Sequence, residues 1–175
     1  MASVMRWREG VVKYVPMPTH NSYPIEQGDL LWKHSDGKVY PASACTTVLG
    51  DAGTAAQNRQ QFASRFAGVA DRKVGLQSGE TVFNLPGTYN PGYILVATSG
   101  VFAFPVASTS FVSGDLVGVY NDATDSSNQV VAKVTAVDEA IGTAKVPVAA
   151  LGAAVTEILV DIKSAMMRES LSGNV

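Results

Sequence analysis

Few side chains in this sequence could do acid–base or metal chemistry near neutral pH: His20, His34 and Cys45 are the whole set of imidazoles and thiols. Imidazole is the side chain that changes charge near neutrality, and zinc sites draw on Cys and His in close pairs, a spacing these three do not form. Cys45 has no second cysteine to bridge and reads as a small apolar filler. The segment NDATDSSNQ, residues 121–129, sets Asp122 and Asp125 among oxygens that could hold calcium. It lacks the alternating acidic ladder and closing Glu of an EF-hand loop, and Asn, Asp and Ser are what long hairpin loops are made of. Asp138 and Glu139 are adjacent, so on a strand they would face opposite ways. LGDAGTAA, residues 49–56, resembles a phosphate-cradling turn but lacks the Lys and Ser/Thr that would follow, and it reads as a structural loop. Neither a G-x-S-x-G elbow nor a G-x-G-x-x-G turn occurs. The expectation is a protein that is not an enzyme and holds no metal or cofactor.

Trp32, Tyr40, Tyr89, Tyr93 and Tyr120 could line a groove for a glycan, which makes a ligand-binding surface module the alternative reading. Aromatic residues on strands also fill cores and cross-strand pairs.

The elements that would position these residues have the period of strands. Strands are expected over 11–15, 30–33, 38–42, 66–69, 92–97, 101–106, 116–120, 130–137, 144–148 and 157–162, short runs rich in Val, Ile, Tyr and Phe between Gly, Asp, Asn and Pro turns. In the last of them Ile158, Val160 and Ile162 alternate with Leu159, Asp161 and Lys163, which predicts one buried face. Helix is expected at most over 51–65 and 164–171. The fold class is therefore all-β, with at most one or two short helices. Pro16, Pro18 and Pro24 interrupt a ladder and predict an extended connector, leaving residues 1–15 as an apolar N-terminal arm that a partner or the chain's own sheet edge should cover. The organisation that follows is an arm and connector over 1–24, a β domain over 25–163 and a short tail over 164–175.

The 175 residues suffice for a core without disulfide or metal support, and the net charge of −2 offers no footprint for a phosphate backbone, so nucleic acid is not an expected partner. No apolar run reaches the length of a membrane span, and Arg6, Arg8 and Glu9 break up any export signal. Charged residues make up 16 % of the chain against about 25 % in an average domain, while 46 % are hydrophobic, which predicts that part of the surface is covered by assembly.

One device occurs twice. Ile25 precedes Gly28-Asp29-Leu30 as Phe111 precedes Gly114-Asp115-Leu116, and each unit opens a strand. Glycine accepts turn dihedrals that other residues resist, and a short Asp side chain can bond its own backbone. Gly28, Asp29, Gly114 and Asp115 are thus expected to be structural turns.

The order of segments IEQGDLLWKHSDGKVYPAS, FAGVADRKV, ILVATSGVFAFPV, FVSGDLVGVYND and AIGTAKVPVAALGAAVTEILVDI resembles that of bacteriophage capsid cement, or head-decoration, proteins, over roughly residues 25–162. The proline connector and the insert over 45–65 depart from the family's compact pattern. The resemblance implies a small β-barrel or β-tulip-like body, a homotrimer on the outer surface of the virion's capsid, made in the host cytoplasm, with the major capsid protein as partner and stabilisation of the expanded head as function. It further implies an N-terminal segment that reaches the capsid protein. By position and composition that segment is residues 1–15, and Trp7, Val11, Val12, Tyr14 and Val15 are the residues expected to bind.

Overall fold

The structure, a computed structural model, describes residues 7–20, 22–74, 92–122, 125–146 and 154–165. Among them nine strands make one sheet: β1 (Trp7–Pro18), β2 (Leu30–Lys33), β3 (Val39–Pro41), β4 (Phe66–Ala70), β5 (Tyr93–Ser110), β6 (Leu116–Asn121), β7 (Ser126–Lys133), β8 (Gly142–Lys145) and β9 (Ala154–Lys163). Two short helices, α1 (Cys45–Leu49) and α2 (Ala55–Ala63), lie between β3 and β4, α2 capped by Thr54 accepting from the Gln57 N–H. The chain is all-β. On β9, Ile158, Val160 and Ile162 are buried, as their alternation predicts.

The pairings resolve into two closed rings of five strands that share β5. Ring 1 runs β1, first half of β5, β4, β2, β3 and returns to β1 through a parallel bridge between Thr19 and Val39. Ring 2 runs second half of β5, β9, β8, β6, β7 and returns to β5 through a parallel bridge between Val106 and Val131. The registers coincide residue for residue. Leu31 pairs Gly68 as Val117 pairs Gly142, and Trp32 pairs Tyr40 as Gly118 pairs Ala132. Ala70 pairs Val96 as Ala144 pairs Val160, and Val15 pairs Val96 as Phe102 pairs Val160.

The interiors follow the same plan. Met17, Ile25, Leu31, Val39, Ala70, Ile94 and Val96 fill ring 1, and Phe104, Phe111, Val117, Val131, Ala144, Ile158 and Val160 stand at the matching positions of ring 2. Two glycines are fixed by this closeness. A Cβ on Gly68 would fall 2.1 Å from the Ala97 carbonyl oxygen, and one on Gly142 would fall 2.3 Å from that of Asp161, so neither strand could lie on its neighbour with a side chain there.

The repeated Gly-Asp device forms the entry corner of each ring. Gly28 N–H donates to the Ala70 carbonyl at 2.9 Å and Gly114 N–H to that of Ala144 at 2.9 Å. The Asp29 and Asp115 N–H groups donate back to the carbonyls of Glu26 and Val112, while Oδ2 of each Asp accepts the Glu26 or Val112 N–H at 2.8 Å. Ala70 and Ala144 in turn donate to the Asp29 and Asp115 carbonyls. Both glycines take positive φ, +89° and +94°, and both leading apolar residues, Ile25 and Phe111, are buried.

Three expectations change at the level of elements. β1 continues through Pro16 and Pro18, where a connector is predicted: apart from its closing bridge β1 pairs with β5 alone, and two prolines two residues apart turn their missing N–H groups to one side of an edge strand. The runs 92–97 and 101–106 are a single strand, β5, because Gly100 at φ +131° carries the chain across without a turn. Val137–Glu139 is a 3₁₀ turn rather than the end of a strand, and it buries Glu139.

The insert between β3 and β4 ties the rings together. α2 packs on β6 and on the Val137–Glu139 turn, where Arg59 Nε donates to Glu139 Oε2 at 2.5 Å. Ser43 N–H donates to Asn128 Oδ1 and Thr46 Oγ1 to Asp125 Oδ1, both on the β6–β7 hairpin side. Trp32, Tyr40, Cys45, Phe62 and Phe66 join one apolar cluster with the interior of ring 2.

Candidate interaction surface

Several apolar side chains on and beside β1 meet solvent, as do Val112, Tyr120 and Val137 elsewhere. Val11 is 80 % exposed, Tyr14 47 % and Val15 37 %, and Tyr93, the cross-strand partner of Pro18, is 51 % exposed. Val12 instead turns inward and packs on the core over Gly100. Trp7 pairs with Phe102 through its backbone, and its side chain lies outside the described residues, as do residues 1–6. Of the five residues expected to bind, Val11, Tyr14 and Val15 are exposed and Val12 is not, but Val15, paired with Val96 and two residues before Met17, lies on the inward side of ring 1, opposite Tyr14. Ring equivalence shows how unusual the exposure is. Val101 and Phe102, the ring 2 counterparts of Tyr14 and Val15, are buried. Tyr93 comes beside β1 through strand pairing with Pro18, far from it in sequence, which no local pattern reveals.

Nothing in this exposed surface is chemically reactive; it can bury apolar area. A fully buried Val or Tyr-sized side chain contributes roughly 1.5–3 kcal/mol relative to exposure. Bulges in the β1–β5 register, with Lys13, Pro16 and Pro18, blunt the open edge against indiscriminate strand addition.

The two histidines come together on ring 1. His20 stacks on Tyr40 with ring centroids 5.1 Å apart, Tyr40 stacks on Trp32 at 5.0 Å, and His34 meets Tyr40 edge-on at 5.6 Å. The Tyr40 hydroxyl donates to Asp36 Oδ2 at 2.9 Å, and His34 Nδ1 lies 3.2 Å from Asp36 Oδ1. Burial and the Asp36 carboxylate push the Tyr40 phenol up to about 12, so it stays protonated as a donor. What burial Asp36 has pushes its carboxyl upward, but the Lys38 N–H, the Tyr40 hydroxyl and His34 outweigh it and hold the group below the usual range. Trp32 and Tyr40 are core residues whose polar atoms are spent, the indole Nε1 on the Pro41 carbonyl and the phenol on Asp36. Tyr89 lies outside the described residues.

The remaining candidates are structural. Burial lifts the Cys45 thiol to about 12, which removes thiolate chemistry. Asp51 accepts from the Gly53 N–H and the Asn58 amide, closing the loop ahead of α2. Among the described residues no three His, Cys, Asp or Glu side chains gather where they could hold a metal ion, and no helix is long and apolar enough to cross a membrane.

The two corner carboxylates sit in different surroundings. Asp29 is buried and accepts from Gln129 Nε2 at 2.9 Å, and burial raises its pKa to about 6 against the lowering effect of Gln129 and the Glu26 N–H. Asp115 accepts from Lys133 Nζ at 2.6 Å, and that bond with the Val112 N–H holds its carboxyl below the usual range.

Comparison with known proteins gives no match: no family model fits the chain, and no curated protein is similar to it.

Proposed function

We propose that this is a structural protein of a phage particle that binds the outer surface of the capsid and stabilises the expanded head by bridging neighbouring capsid subunits. The observation that carries the reading is the exposure of Val11 and Tyr14 on β1 and of Tyr93, the cross-strand partner of Pro18, on a strand that is fixed to the body by β5. Low charge content supports the same reading, since a surface poor in charge is suited to being covered. The protein acts as a homotrimer that grips several major capsid proteins at once. After one contact forms the others act at high effective concentration, so avidity exceeds a single contact by about 10²–10⁴. Its place is the outside of the virion after synthesis in the host cytoplasm.

Removing residues 1–15 would be a poor test, because β1 also covers β5 and Val12 packs on the core. The full chain carrying Val11→Asp and Tyr14→Lys is the sharper one. These exposed positions should leave the thermal midpoint within a degree or two, since surface changes stay within about ±0.5 kcal/mol. Cosedimentation with undecorated expanded heads should then drop by about 100-fold or more, because each lost contact is multiplied by avidity. Normal decoration by the folded double variant would refute the reading.

A further inference from the structure

The two rings differ most on the outer face of their first hairpin. In ring 1 that face is closed by Trp32, His34 and Tyr40, over which His20 and Tyr23 fold. In ring 2 the register puts Gly118 at the place of Trp32 and Ala132 at the place of Tyr40. What opens beside this face is a cleft of about 450 Å³ lined by Pro105, Val106, Tyr120, Asp122, Asp125, Ser126, Ser127 and Val130. That size falls within the range of roughly 300–1,000 Å³ typical of small-molecule sites.

The lining has two kinds of surface. Tyr120 with Val106, Val130 and Pro105 offers an apolar floor and wall, and Tyr120 is more than one-third exposed. Asp122, Asp125 and Ser127 offer oxygens at one rim, each already held in place. Asp122 Oδ1 accepts the Asp125 N–H at 3.0 Å, Asp125 Oδ1 accepts the Thr46 hydroxyl at 3.0 Å, and Ser127 Oγ accepts the Val130 N–H at 3.1 Å. A preformed rim of acceptors needs little ordering when a ligand arrives.

A ligand for this cleft must present C–H faces to an aromatic ring and hydroxyl protons to carboxylates, which is the surface of a pyranose. No Lys, Arg or His lines the cleft among the described residues. An anionic sugar would bring its charge up to two carboxylates. We propose that the cleft of ring 2 binds a neutral pyranose, with Tyr120 as stacking platform and Asp122 and Asp125 accepting its hydroxyls. The proposal is independent of the capsid reading, since the cleft shares no residue with the exposed apolar surface on and beside β1.

The test uses the full chain, labelled with ¹⁵N and titrated with maltotetraose, cellotetraose and tetra-N-acetylchitotetraose, with sialyllactose as the anionic control. At least one neutral tetrasaccharide should shift the amides of Tyr120 and Ser127 saturably at millimolar concentration. Tyr120→Ala should weaken that binding about tenfold, the scale of one aromatic contact, and Tyr120→Phe should retain it, which separates loss of the ring from loss of the fold. Absence of shifts with all three neutral sugars overturns the proposal. So does equal binding of sialyllactose, or undiminished binding by Tyr120→Ala.

Discussion

The corners at Asp29 and Asp115 make the same four backbone and side-chain hydrogen bonds, yet they hold their carboxylates in opposite ways. Asp29 is sealed in and reaches Gln129 of β7, so its corner is also a contact between the rings. Asp115 faces Lys133 at the surface, within its own ring. The backbone geometry comes from Gly-Asp; the electrostatics come from what each ring lays over it. The β6–β7 hairpin, longer than its ring 1 counterpart, lies against the insert and the ring 1 corner, and the short β2–β3 hairpin has nothing equivalent to offer in return.

The largest effects test whether the two rings are built alike. Gly68→Ala and Gly142→Ala both drive a methyl into a neighbouring carbonyl, and each should cost more than about 4 kcal/mol, the exceptional end of single substitutions. Urea denaturation of the two variants should show comparable losses; a mild Gly142→Ala beside a crippling Gly68→Ala would break the equivalence. Next comes pH. Asp29 binds its proton more tightly folded than unfolded, so its contribution is most favourable below about pH 4 and is lost as pH rises to about 6. From about pH 4 to 6 that loss is on the order of 2–3 kcal/mol. Asp29→Asn keeps an oxygen for the Glu26 N–H and, once the Gln129 side-chain amide turns over, can donate to its Oε1, so above pH 6 it should match or exceed the native chain in urea midpoint, with the pH slope flattened. An unchanged slope would dismiss the buried-acid account of that corner. The smallest effect has the opposite sign. Asp115 is stabilised as the anion, so its contribution is present above about pH 4 and lost as pH falls below it. Asp115→Asn should lower the midpoint at pH 7 by about 0.2–1 kcal/mol, the scale of an exposed ion pair. It should do so less at high salt.

Much of this architecture is legible in residue patterns. The alternation on β9, the Gly-Asp turns and the strand at Leu30–Lys33 all follow from local chemistry. The duplication is not, beyond its two corners. Equivalent residues drift in spacing, Leu30 to Leu116, Gly68 to Gly142 and Val96 to Val160, because the helical insert and the longer β4–β5 connection lengthen ring 1 and the hairpin lengthens ring 2, so no fixed period survives. The composition also conceals it: Trp32 matches Gly118, since a Cβ on Gly118 would fall 2.6 Å from the Glu139 carbonyl oxygen. Prolines 16 and 18 mislead for a related reason. Their tolerance depends on β1 being an edge, which is a property of the sheet and not of the segment. The exposed apolar surface is half legible, because Val11 and Tyr14 are near neighbours in sequence whereas Tyr93 comes to the same strand face only through pairing with Pro18.

Strand β5 belongs to both rings, closing the first and opening the second. During synthesis ring 1 cannot close until residues 94–97 have left the ribosome, and ring 2 must wait for β9 after them. Such late, long-range closure makes for slow folding. The sharing also makes one strand the last piece of ring 1 and the first of ring 2, so that damage to β5 reaches both rings.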